Sequence, residues 1–198
     1  MTLERPASAL PGVHYGAVAR HADDRGAFRE LWRASDLGAI APADAGARSG
    51  AAPSFVQANL SSSASGVLRG LHFHRRQLDY WVVASGRAFV ALVDLRPMLF
   101  EGMTAPLVET RELVADEWVV IPSGVAHGFL AMGPLELLYL VTNEYDGSDE
   151  LGFGWDDPVA AVPWPIVVDT LDGRPILSDR DQTNPSLADL LVRLRHDR

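Results

Sequence analysis

Residues Gly70–Trp81 read GLHFHRRQLDYW. Alternate side chains of a strand share a face. His72 and His74 therefore point one way, and Leu71 and Phe73 the other. Asp79 follows the short connection RRQL and opens the apolar run YWVVAS. This pattern predicts a hairpin whose two strands present His72, His74 and Asp79 to one cavity. Its plain alternative is a pair of half-exposed histidines on a strand face.

Outward from this stretch, residues 55–145 are strand-like. The runs YWVVAS, RAFVALVDL, EWVVIPS and LELLYLVTNEY are separated by Gly, Pro and Asp, a pattern that suits an antiparallel sandwich or barrel. Residues 36–54 are rich in Ala, Gly and Pro and read as a surface loop within a single domain spanning 1–198. Helical period is convincing only in SLADLLVRLRH at the C-terminus. There Ser186 is placed to cap the helix, with Asp189 three residues on. The fold class expected is all-β with a short C-terminal helix.

Composition narrows the function. The chain has 198 residues, 47% of them hydrophobic, enough for one sizeable core. No apolar run reaches the roughly 18–20 residues of a membrane span, and MTLERPASALPG does not read as a signal peptide. No membrane partner is expected. The absence of cysteine excludes disulfides and thiolate metal sites and fits a cytoplasmic protein. A net charge of −9 argues against nucleic acid as a partner. All 17 basic residues are arginine, a usage that codon bias in a GC-rich genome explains. No lysine is available for chemistry.

A second segment, IPSGVAHGF (Ile121–Phe129), brackets a turn with Pro122 and Gly124 before His127. The spacings Gly66-x5-His72-x-His74-x4-Asp79-x6-Gly86 and Pro122-x-Gly124-x2-His127 resemble the two metal motifs of the cupin superfamily. Asp stands where Glu is usual, and Ala131 occupies the place of the final Asn. The resemblance implies a small β-barrel in which His72, His74, Asp79 and His127 meet one divalent ion. Imidazole plus carboxylate suits Mn, Fe, Co, Ni or Zn.

Other segments point to a narrower group. DDRGAFRELW, FVQANLSSSASGVLRGLHF, ALVDLRP, IPSGVAHGFLA, LLYLVTNEYD, GWDDP…WP and LSDRDQTNPS occur in order between about residues 10 and 190. Together they resemble the dTDP-4-dehydrorhamnose 3,5-epimerases, the RmlC-like cupins. The resemblance implies a dimeric jelly roll that acts without a cofactor on nucleoside-diphosphate 4-keto-6-deoxy sugars. A base removes a proton beside the ketone, an enolate forms, and an acid returns a proton to the other face. By resemblance, His72 matches the base, Asp181 the carboxylate that orients it, and Tyr139 the acid. Tyr145 matches an aromatic near the nucleotide or sugar, and Arg69 a diphosphate contact. Arg25, Phe28, Glu30, Gln57 and Asn59 match substrate-lining positions, some of them reaching a neighbouring subunit. His127 matches a histidine of the same pocket.

The chain departs from that group at one position. Relatives carry lysine seven residues before the glycine matching Gly86, and here the residue is Asp79. The connection after His72 is also about three residues shorter than in the family. An ionised carboxylate about 4 Å from a forming enolate costs about 4 kcal/mol at an effective dielectric of about 20. That is roughly a thousandfold in rate. Three functions follow: an epimerase with His72 as base, a metal-dependent cupin with His72 as ligand, or a non-catalytic module that binds a sugar nucleotide. The first two compete for one imidazole.

Overall fold

The computed structural model describes residues 7–34, 54–165 and 173–196. Of the 36–54 stretch expected as a loop, only Ser54 lies among them. The strands are β1 (His14–Ala17), β2 (Arg20–Asp23), β3 (Gly26–Arg29), β4 (Gln57–Ser63), β5 (Leu68–Phe73), β6 (Asp79–Ser85), β7 (Arg87–Asp94), β8 (Leu107–Val114), β9 (Glu117–Ile121), β10 (Val125–Ala131), β11 (Leu135–Val141) and β12 (Leu151–Gly152). The helices are α1 (Arg96–Phe100), α2 (Asp179–Gln182) and α3 (Leu187–His196).

Two five-stranded sheets carry the fold, ordered β1-β9-β6-β11-β4 and β12-β5-β10-β7-β8. Their strand pairs are antiparallel. Successive strands β4 to β7 alternate between the sheets, and β8 to β12 do so again after the β7–β8 pair. This is a jelly roll, the all-β class expected. The hairpin expected across RRQL does not form. β5 and β6 lie in different sheets, so the connection crosses the sandwich instead of turning back along it. Alternation of apolar residues cannot distinguish the two routes, because each strand would show the same period either way.

Period-two alternation sends one set of side chains between the sheets. Trp81 and Val83 of β6 meet Val90 and Leu92 of β7 and Phe129 of β10 there. The opposite set of β6, Tyr80 and Val82, packs outward with Trp32, Phe55 and Trp118. The outer face of the second sheet is covered by α3. Its Leu187, Leu190, Leu191 and Leu194 pack on Ala91 and Val93 of β7, and each such buried leucine contributes about 1.5–3 kcal/mol. Ser186 caps this helix as expected: its Oγ accepts from the Asp189 N–H at 3.1 Å.

The β6–β7 crossing turns at Gly86, whose φ is +87°. A Cβ there would lie 2.2 Å from the carbonyl oxygen of Pro134. Gly86→Ala is expected to cost about 2 kcal/mol or more from backbone conformation and overlap together. A thermal melt should show a fall of several degrees; an unchanged midpoint would contradict the account of this corner.

Candidate active site

Between the sheets lies a cavity of about 660 Å³. Both sheets furnish its walls. From β5 come Arg69 and His72; from β10, His127; from β6, Asp79 and Trp81; from β11, Tyr139; from β4, Gln57 and Asn59. His74, just past β5, and Asp181 of α2 complete the set. The register explains the convergence. His72 pairs with His127 across β5–β10. Tyr139 pairs with Trp81 on one side and Asn59 on the other. The β5–β10 ladder shifts register just beyond His127, where Gly70 and Gly128 meet. A Cβ on Gly70 would lie 2.6 Å from the Gly128 Cα, so only glycine allows the strands to approach this closely.

His72 and Asp181 form the first functional pair. The ring Nε2 lies 2.8 Å from the carboxylate Oδ1, although 109 residues separate them in sequence. Asp181 is buried at 4% exposure. Burial acts to raise its carboxyl. The bond from His72 and that ring's charge, with hydrogen bonds from Ser178 and the Gly70 N–H, outweigh burial and hold it below the ordinary value. An ionised carboxylate can only accept, so His72 carries a proton on Nε2 and leaves Nδ1 as the basic nitrogen. Ser178 caps α2 and accepts from the Asp181 N–H, which fixes the carboxylate in place.

Tyr139 is half-buried. Burial raises its hydroxyl first and the neighbouring Asp79 carboxylate adds to the rise, against a smaller opposing effect of Arg69. It is therefore in its proton-donating form near neutrality.

His74, Asp79 and His127 form a separate group, with one ligand-type atom of each inside a 4.8 Å set. His74 Nδ1 donates to the Asp149 backbone carbonyl at 2.9 Å. His127 Nδ1 donates to that of Val125 at 3.2 Å. In the neutral form of each ring this bond places the proton on Nδ1 and leaves Nε2 as the acceptor. The His127 ring is pushed down to about 4, chiefly by burial, so it is neutral at pH 7. Asp79 is 3% exposed and accepts from Gln77 Nε2 at 3.1 Å and Trp81 Nε1 at 3.4 Å. His72 does not belong to this cluster. The four-ligand set that the cupin resemblance implies therefore divides: three groups converge, and His72 is held by Asp181.

The remaining expected residues fall in two places. Arg69 reaches Ser63 Oγ at 3.2 Å and lines the cavity. Gln57 accepts from the Tyr145 N–H at 2.9 Å and donates to Asn59 at 2.9 Å, so these three stand together at the mouth. Arg25, Phe28 and Glu30 do not line this chain's own cavity. They sit on or beside the separate β2–β3 ribbon, where Arg25 pairs with Asp23, Glu30 pairs with Arg33 and Phe28 is 67% exposed.

Asp149 escaped the sequence reading. Its carboxylate accepts from the backbone N–H groups of Arg75 and Arg76 at 3.1 and 3.2 Å, and its carbonyl holds His74. It pins the short crossing between the sheets. Nothing local in GSDEL signals this, because the partners are over 70 residues away.

Comparison with known proteins agrees with this geometry. A sequence model described as dTDP-4-dehydrorhamnose 3,5-epimerase matches residues 7–189. The chain belongs to the dTDP-4-dehydrorhamnose 3,5-epimerase family. It is 35% identical over 188 residues to the enzyme of that name from Mycobacterium tuberculosis, covering 91% of this chain and 86% of the relative. It is 32% identical over 161 residues to the spore coat polysaccharide biosynthesis protein SpsL of Bacillus subtilis, covering 78% and 96%. Among solved structures, the rmlC epimerase of M. tuberculosis superposes with a TM-score of 0.78 at 33% identity over 96% of this chain and 90% of that one. NovW, a 4-keto-6-deoxy sugar epimerase from a novobiocin gene cluster, gives 0.73 at 30% identity, covering 98% and 89%.

The Asp181 carboxyl is held low in the folded state, so its stabilisation is fully present above the unfolded value of about 3.9. It is lost as pH falls through the lower folded value. Asp181→Asn should lower the melting temperature at pH 7 and shrink the further loss on acidification to pH 3. An identical acid limb in both proteins would contradict the pairing.

Proposed function

We propose that this chain epimerises a dTDP-4-keto-6-deoxy sugar at C3, C5 or both. The observation that carries the reading is the His72–Asp181 dyad standing in one cavity with a protonated Tyr139. A carbon acid beside a ketone needs a base of moderate strength on one face and a proton donor on the other. His72 Nδ1 takes the proton, and the electron pair moves onto the 4-keto oxygen as an enolate. Tyr139 returns a proton to the opposite face. Asp181 stabilises the imidazolium that forms. Solvent then resets both groups. This chemistry by itself calls for no redox cofactor.

The substrate assignment is supported by relatives whose solved structures hold related ligands. The Legionella pneumophila enzyme, 26% identical with a TM-score of 0.75 over 92% of this chain and 91% of that one, is in complex with dTDP-4-keto-L-rhamnose. Arg69, which lines the cavity, would meet the diphosphate, where a guanidinium fork suits paired oxygens. Gln57, Asn59 and Tyr145 would line the sugar–nucleotide end, with His127 deeper in the pocket. A homodimer gives the exposed β2–β3 ribbon a role, since its Arg25, Phe28 and Glu30 can then serve a partner's cavity. No helix among the described residues is long and apolar enough to cross a membrane, and a cytoplasmic location fits nucleotide-sugar chemistry.

In D2O, the protein should place deuterium at C3 or C5 of a dTDP-4-keto-6-deoxy sugar, read by proton NMR. His72→Asn should slow this by about 10²–10⁴-fold, the usual worth of a general base. Tyr139→Phe should slow epimerisation while leaving exchange at the base's face. Binding without exchange for every such sugar would mean a recognition module instead of an enzyme.

A further inference from the structure

The proton transfer described above leaves His74, Asp79 and His127 unused, although all three line the cavity. Each of the two imidazoles gives its Nδ1 proton to a backbone carbonyl, so the Nε2 of the neutral ring is an acceptor. The rings lie 5.4 Å apart, tilted by 31°. Asp79 is 3% exposed, and its two oxygens accept from the Gln77 amide and the Trp81 indole, both neutral donors. Each oxygen keeps a further lone pair. The arginines of the cavity wall are engaged elsewhere: Arg69 with Ser63 and Ser62, Arg76 with Asp146 and Asp149, Arg180 with Glu150. The chain contains no lysine. A buried anion beside two lone pairs is costly unless a cation joins it.

The complement of this group is a donor that brings positive charge. A primary ammonium has three N–H donors and no acceptor, whereas a hydroxyl has one proton to give. One ligand-type atom of each residue lies within 4.8 Å of the other two. A single nitrogen can therefore stand about 2.8 Å from all three, an ordinary hydrogen-bond length. We infer that His74, Asp79 and His127 bind a protonated amine carried by the sugar, so that the preferred substrate is an amino-deoxy sugar nucleotide. The inference rests on the epimerase reading and narrows its substrate class. The His72–Asp181 dyad remains the base. The Asp79 charge acts on the Tyr139 hydroxyl, which puts the amine pocket near the proton donor. An ammonium held there pairs with Asp79 and offsets the repulsion that its carboxylate would exert on an enolate. The substrate itself supplies the cation, and no cofactor is added.

The test compares dTDP-6-deoxyglucose with its 2-amino-2-deoxy and 3-amino-3-deoxy counterparts by isothermal titration calorimetry at neutral pH. All three keep a hydroxyl at C4, so binding is read without turnover. One of the amino sugars should bind at least about tenfold tighter than the parent, the lower end of what hydrogen bonds to a charged group contribute. Asp79→Asn and His74→Leu should each cut that preference to below about threefold, with circular dichroism showing that the variants are folded. Amino sugars that bind no tighter than the parent overturn the inference. So does a full preference kept by folded Asp79→Asn, or a proton found on His74 Nε2 in the free protein. Deuterium exchange at C3 or C5 separates this inference from the reading beneath it. Exchange into dTDP-4-keto-6-deoxyglucose without any amine preference removes the amine pocket and leaves the epimerase. An amine preference without exchange into any 4-keto sugar, aminated or not, leaves the pocket and removes the epimerase.

Discussion

Three histidines share one cavity, and the hydrogen bond behind each ring decides what it can do. His72 donates from Nε2 to a buried carboxylate, while His74 and His127 donate from Nδ1 to backbone carbonyls. A carboxylate partner stabilises the protonated ring and so makes a base. A carbonyl partner orients a neutral ring and leaves a lone pair forward, which makes a ligand or an acceptor. The same residue type thus stands in two different hydrogen-bonded settings within one cavity, set by what the fold places on the far side of each ring.

The jelly roll supplies those partners from distant parts of the chain. Asp181 arrives on α2, locked by the Ser178 cap. Asp149 comes from the loop before β12 and ties down the crossing that carries His74 towards Asp79. The glycine pair Gly70 and Gly128 lets β5 and β10 meet closely enough for His72 and His127 to face the same space. Each of these elements limits the freedom of a side chain that lines the cavity, and fixed groups lower the entropy cost of a proton transfer.

Much of this was legible in the linear chain. The β-rich runs, the capped terminal helix and the ordered family segments carried both fold class and family. Two readings went astray for the same reason. Period two places His72 and His74 on one face, and it is silent on whether the next strand joins the same sheet. The structure sends β6 to the opposite sheet, and the residues still converge because the cavity lies between sheets. Likewise the His-x-His spacing offers His72 as a ligand, yet the competing partner Asp181 lies 109 residues downstream. Long-range hydrogen bonds leave no local periodicity to read. The ribbon residues Arg25, Phe28 and Glu30 carry a third lesson: they lie away from this chain's cavity, and no local pattern in the sequence separates a lining residue from one on an exposed ribbon.

The most direct measurement is the side-chain nitrogen–proton NMR spectrum of the metal-free protein near neutral pH, which reads the tautomer of each histidine. The account predicts that His72 holds its proton on Nε2, while His74 and His127 hold theirs on Nδ1. A bare Nε2 on His72, with its proton on Nδ1, would contradict the assignment of base and acceptors on which the mechanism stands.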